Sequence, residues 1–235
     1  MQGFAVSDRR ILKARKIEAL LGPLSGLKVL DLGTGSGLIA DYFTQAGADV
    51  TAADRDDSEY KSDLPFVKIE GTALPFPSET FDVVIYNHVI EHVGDRPQQR
   101  EALAEIARIL KPDARMYLAV PSKWAAIEPH YKLPLLGAMP RPLADKMVRR
   151  FRNYPYYDCY PPSAGELLDL LEPCFIAEDR TDDAFKWFAR HEMGALGKVA
   201  SLVPAAIIPT SLYPTMVAVC VRRRCHPTFS IKTSA

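Results

Sequence analysis

The sequence predicts a single α/β domain over residues 1–235, built on a doubly wound, mostly parallel seven-stranded sheet with helices on both faces. An inserted cap is expected after the fifth strand. Short, continuously apolar segments such as KVLDL and FDVVIYNHV alternate with helix-like segments, which is typical of parallel strands covered on both faces. The first of these strands runs into a glycine-rich turn. The alternation stops over residues 123–162, which are rich in Pro, Tyr and Arg.

The elements of the first half follow in a regular order. Residues 9–21 place apolar side chains at helical spacing and are followed by Gly22-Pro23, which predicts an amphipathic entry helix. Residues 26–122 contain five predicted strands, KVLDL, ADVTAAD, PFVKIE, FDVVIYNHV and RMYLAVPS. The predicted helices LIADYFTQAG and PQQREALAEIARIL lie between them. This order indicates consecutive βα units.

The second half is expected to close the fold. Residues 163–223 contain the predicted helix SAGELLDLLEPC, the strand FIAEDRT, a helix within residues 182–200 and the strand TMVAVCVRR. Residues 224–235 are expected to form a flexible tail. Residues 199–221 are apolar and long enough to cross a bilayer, but three prolines interrupt them. The prolines favour a helix, a loop and a buried strand instead.

Composition and charge narrow the classes of partner. The chain has 29 basic and 29 acidic side chains, so no overall field attracts nucleic acid, and no nucleic-acid partner is expected. The four cysteines form no CxxC pair, which argues against a structural zinc site or a disulfide framework. The charged N-terminal segment lacks the apolar run of a signal peptide. A cytoplasmic protein is expected, with membrane association as an alternative.

One cap segment suggests how such an association would arise. Basic and apolar side chains interleave in RPLADKMVRRFR, which predicts an amphipathic basic helix. Such a face can rest on anionic lipid or bind an acidic acceptor, and it can equally be an ordinary solvated surface. The alternatives stay open at this point.

The glycine-rich turn predicts a nucleotide-like ligand site. Gly33, Gly35 and Gly37 lie at alternate positions between the first strand and the helix LIADYFTQAG that follows it. Glycine at such positions lets the backbone approach a ligand closely. Asp54 ends the second strand about 20 residues later, at the place where a carboxylate can bind ribose hydroxyls. An NAD-dependent oxidoreductase would use the same device. However, Leu38 stands where the dinucleotide pattern needs Gly or Ala.

Five segments in order resemble the class I (Rossmann-like) S-adenosylmethionine-dependent methyltransferase family. They are VLDLGTGSG, TAAD, IEGTALPF, FDVVIYNHVIEHV and EIARILKPDARMYLAVPS, and they span about residues 26–122. The resemblance implies a cofactor-binding half over these residues, with S-adenosylmethionine as the cofactor. It also implies the cofactor contacts, which are Asp31, Gly33, Gly35 and Gly37 at the methionine end, Asp54 at the ribose, Glu70, Gly71 and Thr72 near adenine, and Asn87 and His88 along the sulfonium. The family more often has Asp-Ala at the Glu70-Gly71 pair.

Three histidines are candidates for catalysis. His88 and His92 follow the fourth strand, and His130 lies in the cap segment IEPHYKLP. A histidine titrates in the range useful to a general base, and His92 and the neighbouring Glu91 could instead cap the next helix or face water. No metal site is expected, because no known ligand spacing is visible. IEPHYKLP resembles a segment of family members that act on lipid-linked or polysaccharide-related acceptors, and cap packing is its alternative explanation.

The leading hypothesis is methyl transfer from S-adenosylmethionine to a small-molecule or lipid/glycan-linked acceptor that the cap selects. The alternatives are a non-catalytic, methyltransferase-like cofactor-binding domain and an NAD-dependent oxidoreductase. The intact glycines together with Asp54 favour cofactor binding, which both the methyltransferase and the non-catalytic binding domain require. The sequence assigns neither the methylated atom nor the oligomeric state.

Overall fold

The structure is a computed structural model that describes residues 6–193 and 213–223. Its seven strands are β1 (Lys28–Leu32), β2 (Asp49–Asp54), β3 (Phe66–Lys68), β4 (Phe81–Asn87), β5 (Leu110–Pro121), β6 (Phe175–Asp179) and β7 (Thr215–Arg222). The α-helices are α1 (Val6–Leu21), α2 (Leu38–Gln45), α3 (Arg96–Ile109), α4 (Arg141–Arg152), α5 (Ala164–Leu171) and α6 (Thr181–Glu192). The predicted order of strands and helices is therefore found along the described chain.

The strands form one seven-stranded sheet in the order β3-β2-β1-β4-β5-β7-β6. The pairs β1/β2, β1/β4, β2/β3 and β4/β5 are parallel, whereas β7 runs antiparallel to both β5 and β6. The strand order reverses between β1 and β4, and ligands of doubly wound sheets bind at such a switch point, outside the carboxyl ends of the strands. The predicted fold class is confirmed.

Helices cover both faces of the sheet. On one face, Ile17 of α1, Phe43 of α2 and Ala184 of α6 belong to one buried cluster with the inner strands. On the other face, Leu103 of α3 and Leu167 of α5 belong to the second core cluster. Burial on both faces explains why the central strands read as continuous apolar runs.

Some boundaries differ from those expected. α1 begins at Val6, three residues before the predicted start, and β3 shortens to Phe66–Lys68. β5 begins at Leu110, five residues before the predicted strand RMYLAVPS, because Leu110 already pairs with Phe81. The register then shifts before Arg115 pairs with Val83. Asp113 in this irregular stretch has a φ of 61°, so a turn is accommodated inside the strand.

Residues 123–162 pack around a small apolar cluster of their own, which includes Tyr131, Leu136 and Val148. Arg141, at the start of α4, donates hydrogen bonds to the carbonyls of Tyr157 and Cys159. Because these bonds connect α4 to the segment that follows it, Arg141 acts inside the cap rather than as a free surface charge. The guanidinium group of Arg152 likewise donates to carbonyls, those of Tyr131 and Lys132.

Three expectations concern residues that are wholly or partly outside the described ones. Most of the apolar stretch at residues 199–221 lies outside the described residues, as does the tail at residues 224–235. The C-terminal part of the helix expected within residues 182–200 also lies outside them, since α6 is described up to Glu192. Over residues 6–193 and 213–223, no helix is both long and apolar enough to cross a membrane.

Candidate functional site

The glycine-rich turn is held against the end of β2. The amide of Gly33 donates to the carbonyl of Ala53 at 2.8 Å, and the amide of Gly35 donates to Oδ2 of Asp54 at 2.8 Å. Gly33 has a φ of +80°, and a Cβ atom added there would lie 2.2 Å from Cγ2 of Val89. Only glycine satisfies both the left-handed backbone and this close approach.

Asp54 uses its carboxylate to organise the turn. Besides the bond from Gly35, its Oδ1 accepts a hydrogen bond from the amide of Arg55 at 2.7 Å. Each carboxylate oxygen has two lone pairs, so both can still accept a hydrogen bond from a ligand hydroxyl. Asp54 therefore makes structural contacts and keeps the capacity to accept further hydrogen bonds, and its role at the ribose stays a prediction.

Asp31 lies buried beneath the same turn. Its Oδ2 accepts a hydrogen bond from Oγ1 of Thr34 at 2.7 Å. Burial raises the pKa of Asp31 to about 6, and the nearby charge of Asp54 also raises it. A cationic amino group beside this carboxylate would relieve the cost of its burial. That chemistry suits the methionine end of the expected cofactor.

The residues expected near adenine follow β3. The amide of Ile69 donates to the carbonyl of Asp54 at 2.9 Å, which brings the end of β3 next to the end of β2. Glu70 and Gly71 come directly after and are exposed at this edge. Oγ1 of Thr72 donates to Oε2 of Glu101 at 3.3 Å. The chain thus brings the carboxylates of Asp31, Asp54 and Glu70 to one edge of the sheet. These hydrogen-bond acceptors fit the amino groups and ribose hydroxyls of S-adenosylmethionine.

Asn87 and His88 mark the end of β4. The amide of His88 donates to the carbonyl of Ala119 at 2.8 Å. His88 has a φ of 59°, a left-handed conformation that costs a residue with a Cβ roughly 1–2 kcal/mol. Backbone strain of this kind is concentrated at functional sites. The turn at His88 breaks the strand and lets the following residues leave the sheet.

Five side chains meet beyond this turn, and we call them the His–Glu cluster: His88, Glu91, His92, His130 and Asp158. Oε1 of Glu91 lies 2.9 Å from Nε2 of His130 and 3.5 Å from Nδ1 of His88. Nδ1 of His92 lies 3.3 Å from Oδ2 of Asp158. The three candidate histidines therefore lie together, with the His92 and His130 ring centroids 4.8 Å apart.

The cluster shifts the pKa values of its members. Burial alone would raise the pKa of Glu91, but its hydrogen bonds with His130 and His88 outweigh burial and lower the pKa to about 2. Burial lowers the pKa of His88, although Glu91 counteracts this. For His92, burial is outweighed by Asp158 and Glu91, so its pKa is raised. At neutral pH, Glu91 is thus an anion and His88 is neutral.

One alternative from the sequence is wrong for Glu91, which neither caps a helix nor faces water. Its side chain is fully buried, and its Oε2 has no hydrogen-bond partner among the described residues. Asp95 caps α3 instead, accepting a hydrogen bond from the amide of Gln98. Glu91 is buried because the turn after β4 carries it under the cap, where its carboxylate lies within hydrogen-bond distance of His130.

The same groups have metal-binding geometry. One ligand atom from each of His88, Glu91 and His130 lies within 4.8 Å of the others, and the same holds for His92, His130 and Cys159. Two histidines and a carboxylate are a ligand set that zinc uses in catalytic sites. The hydrogen bonds described above also account for these positions, so the expectation of no metal stays a prediction.

A cavity of about 730 Å³ opens beside His88 and His130. The cap contributes Ile127, Pro129 and Lys132 to its lining, whereas Tyr131 is buried among the cap aromatics. The walls also include residues that the sequence analysis did not select: Lys13 and Lys16 of α1, Phe185, Phe188 and Glu192 of α6, and Tyr213. The three-residue spacings of Lys13 with Lys16 and of Phe185 with Phe188 place each pair on one helix face, but spacing alone does not indicate which face meets a cavity.

Comparison with known proteins agrees with this geometry. A family model described as a methyltransferase domain matches residues 30–118. The chain is 30% identical over 111 residues to a demethylmenaquinone methyltransferase of Renibacterium salmoninarum, covering 45% of this chain and 46% of that protein. It is 31% identical over 146 residues to a ubiquinone biosynthesis O-methyltransferase of Rhodopseudomonas palustris, covering 57% of this chain and 54% of that protein. The chain thus spans about half the length of these curated relatives.

Solved structures share the whole fold. An S-adenosylmethionine-dependent methyltransferase from Mesorhizobium loti superposes with a TM-score of 0.58 at 16% identity, over 93% of this chain and 99% of that one. The 1,6-didemethyltoxoflavin-N1-methyltransferase of Burkholderia thailandensis gives a TM-score of 0.52 at 18% identity, over 93% of this chain and 79% of that one. The matched segment, the strand order and the glycine turn are similar to those of class I (Rossmann-like) S-adenosylmethionine-dependent methyltransferases, whose fold this chain shares.

Proposed function

We propose that this protein transfers a methyl group from S-adenosylmethionine to a small-molecule acceptor bound in the cavity beneath the cap. The observation that supports this most directly is the position of His88. It directly follows β4, the neighbour of the strand that precedes the glycine turn, and it also lines the cavity. A cofactor at the sheet edge and an acceptor in the cavity would therefore meet at this residue.

The protein's part in such a reaction is positioning and proton removal. When bound, the cofactor supplies a methyl carbon activated by sulfonium charge for in-line displacement. The cap and α6 hold the acceptor, and exclusion of water by a closed site favours reaction. If the attacking atom carries a proton, neutral His88 accepts it. Glu91 is a positioning residue that orients His88 and His130 and stabilises the histidinium that forms.

The relatives suggest the chemistry of the acceptor. One relative is named as an O-methyltransferase of ubiquinone biosynthesis, and another is named as a demethylmenaquinone methyltransferase. The cavity wall formed by Phe185, Phe188 and Tyr213 suits a flat aromatic ring of that kind. We therefore propose an aromatic acceptor, either free or attached to a lipid. A glycan-linked acceptor fits this apolar wall less well.

Ligand-dependent thermal stability tests the cofactor assignment. S-adenosylmethionine or S-adenosylhomocysteine at 100 times its dissociation constant should stabilise the protein by about 2.7 kcal/mol, which is a rise in Tm of roughly 5–10 °C for a chain of this size. Asp54→Ala should lose this rise because it removes the ribose acceptor and the anchor of Gly35. NAD should have no effect.

A matched carboxylate serves as the control. Asp49 begins the same strand at the opposite edge of the sheet and is exposed, so Asp49→Ala should keep the full rise in Tm. A response to NAD alone, or equal loss in both variants, would contradict the assignment. Turnover on an aromatic acceptor then separates an enzyme from a non-catalytic binding domain.

We further propose that the outer face of α4 rests on anionic membrane surfaces. Leu143 and Phe151 are 47% and 52% exposed, and Lys146 and Arg150 lie exposed between them on the same helix. Amphipathic basic faces of this kind bind anionic lipid through apolar burial and charge together. The protein should sediment with phosphatidylglycerol vesicles and not with phosphatidylcholine vesicles, and Lys146→Glu with Arg150→Glu should abolish sedimentation.

The control for the vesicle experiment is an equal charge change on another surface. Lys61 and Arg100 are exposed and lie outside the cap. Lys61→Glu with Arg100→Glu should leave vesicle binding within about twofold of wild type, because charge near the lipid surface acts only within a Debye length of about 8–10 Å. Equal loss in both double variants would indicate a response to net charge and would overturn the α4 surface.

A further inference from the structure

The polar lining of the cavity is strongly cationic. Lys13 and Lys16 approach it from α1, and Lys132 approaches it from the cap. Of the described residues that line the cavity, Glu192 alone is acidic. Three ammonium groups and one carboxylate give the cavity a net positive charge, although the chain as a whole is neutral. A concave surface lined by one sign of charge concentrates ligands of the opposite sign.

Lys16 differs from the other partly buried lysines. The ammonium group of Lys111 lies 2.8 Å from Asp82, and that of Lys186 lies 2.6 Å from Asp182. Lys16 is half-buried, and no hydrogen bond or ion pair joins its side chain to the described part of the chain. Burial lowers the pKa of Lys16 and the charge of Lys13 lowers it further, while Glu192 counteracts them. An anion bound beside Lys16 would compensate this cost.

Lys132 is held by a strained turn that the cap stabilises. It has a φ of 53°, which is left-handed for a residue with a side chain. Its amide donates to the carbonyl of Glu128 at 2.9 Å, and its own carbonyl accepts from Nη2 of Arg152 at 3.0 Å. Two hydrogen bonds thus maintain an unfavourable conformation whose side chain lines the cavity.

Another part of the lining is apolar and partly aromatic. Phe185 and Phe188 lie three residues apart on α6, and the rings of Phe185 and Tyr213 have centroids 5.0 Å apart. Ile127 and Pro129 complete this wall from the cap. A ligand that fills the cavity therefore needs a flat apolar body together with negative charge.

We infer that the acceptor is an aromatic anion whose carboxylate or phosphate is bound by Lys13, Lys16 and Lys132 while its methyl-accepting atom faces His88. This inference rests on the proposed methyltransferase function and specifies the substrate of the same site. The charged group orients the ring, because lysine ammonium groups bind the oxyanion and the aromatic side chains of the lining contact the rest of the ligand.

The test compares three ligands of one ring system: 1-naphthoate, 1-naphthyl phosphate and uncharged 1-naphthamide. Binding to the full chain, saturated with S-adenosylhomocysteine, is measured by calorimetry. At least one anion should bind roughly 10-fold or more tightly than the amide, since one charge-assisted contact contributes about 1.4 kcal/mol or more. The tighter of the two anions identifies whether the site prefers a carboxylate or a phosphate.

Lysine variants distinguish anion binding by the cavity lysines from attraction by the overall charge of the protein. Lys16→Met and Lys132→Met keep most of the side-chain volume, and each should weaken binding of the preferred anion roughly 10-fold without changing amide binding. Lys28→Met removes an exposed lysine at the start of β1, at the opposite edge of the sheet, and should change neither. Equal binding of anions and amide, equal loss in all three variants, or no binding of any of the three ligands would overturn the inference.

The inference and the proposed function fail in different ways. Stabilisation by S-adenosylhomocysteine depends on the glycine turn and should be unchanged in Lys16→Met and Lys132→Met. If wild type shows no such stabilisation, the methyltransferase proposal fails, and anion binding can still be measured without the cofactor product. If stabilisation is present and anion preference is absent, only the acceptor class is wrong.

Discussion

Gly33→Ala should weaken S-adenosylmethionine binding roughly 10-fold to 100-fold, because a displaced turn loses at least one hydrogen bond to a charged group, which costs about 1.5–3 kcal/mol. The added Cβ would lie 2.2 Å from Cγ2 of Val89 and 3.1 Å from its Cγ1, so either the turn or the residues after β4 must move. Both segments contribute to the expected cofactor site. Calorimetric titration with S-adenosylmethionine measures the loss, and circular dichroism verifies that the fold is retained.

Two further variants separate this clash from the cost of the backbone conformation. Gly26 has a φ of +75° with no atom within 4 Å of an added Cβ, so Gly26→Ala introduces similar backbone strain, about 1–2 kcal/mol, without a clash. It should leave affinity for the cofactor unchanged. Adding Val89→Ala to Gly33→Ala removes both clashing methyl groups and should recover most of the affinity. If the double variant binds no better than Gly33→Ala, the contact with Val89 is not the cause.

Glu91→Gln should lower the free energy of unfolding by about 2–4 kcal/mol, because it removes the buried anion that pairs with two histidines. For a chain of this length the corresponding fall in Tm is roughly 10 °C. Denaturant unfolding at neutral pH measures the change. Glu172→Gln alters an exposed glutamate at the end of α5 and should stay within about 0.5 kcal/mol of wild type.

The pH dependence of the difference in unfolding free energy shows whether Glu91 acts through the histidines of the His–Glu cluster. Glu91 raises the pKa values of His88 and His92, so both histidines should titrate at lower pH in Glu91→Gln, as read from their ring proton resonances. Below the ordinary histidine value of 6.5, the variant therefore loses stability relative to wild type. The pKa of Glu91 falls from 4.5 to about 2 on folding, so its own stabilisation is present above pH 4.5 and is lost as the pH falls towards 2.

The stability gap between wild type and Glu91→Gln should consequently widen as the pH falls from about 8 to about 5.5 and narrow again below about 4.5. The wild-type contribution of His92 has the matching sign. Its raised pKa stabilises the folded state below 6.5 and this stabilisation disappears as the pH rises through the folded value. A gap that does not vary over the upper range would show that Glu91 acts by packing alone.

The sequence by itself determined the fold class and the position of the glycine turn. Apolar strands, helical spacing and glycines are local signals, and each reports on the conformation of the residues that carry it. Asp31, Gly33, Asp54 and His88 therefore could be placed at the strand ends before any packing was known, because parallel strands bring their carboxyl ends to one edge. Their individual roles toward the cofactor stay predictions.

Only the tertiary structure decided which distant residues meet. Glu91 and His130 are separated by 39 residues in the sequence. The residues around each of them do not indicate that the cap brings the two side chains into contact. Lys16 and Phe185 reach one cavity because α1 and α6 pack on the same face of the sheet. Charged side chains are usually exposed, so the sequence alone would place Glu91 and Lys16 at the surface. The structure instead buries Glu91 and half-buries Lys16. Their burial is set by long-range packing, and the chemistry of the acceptor site depends on it.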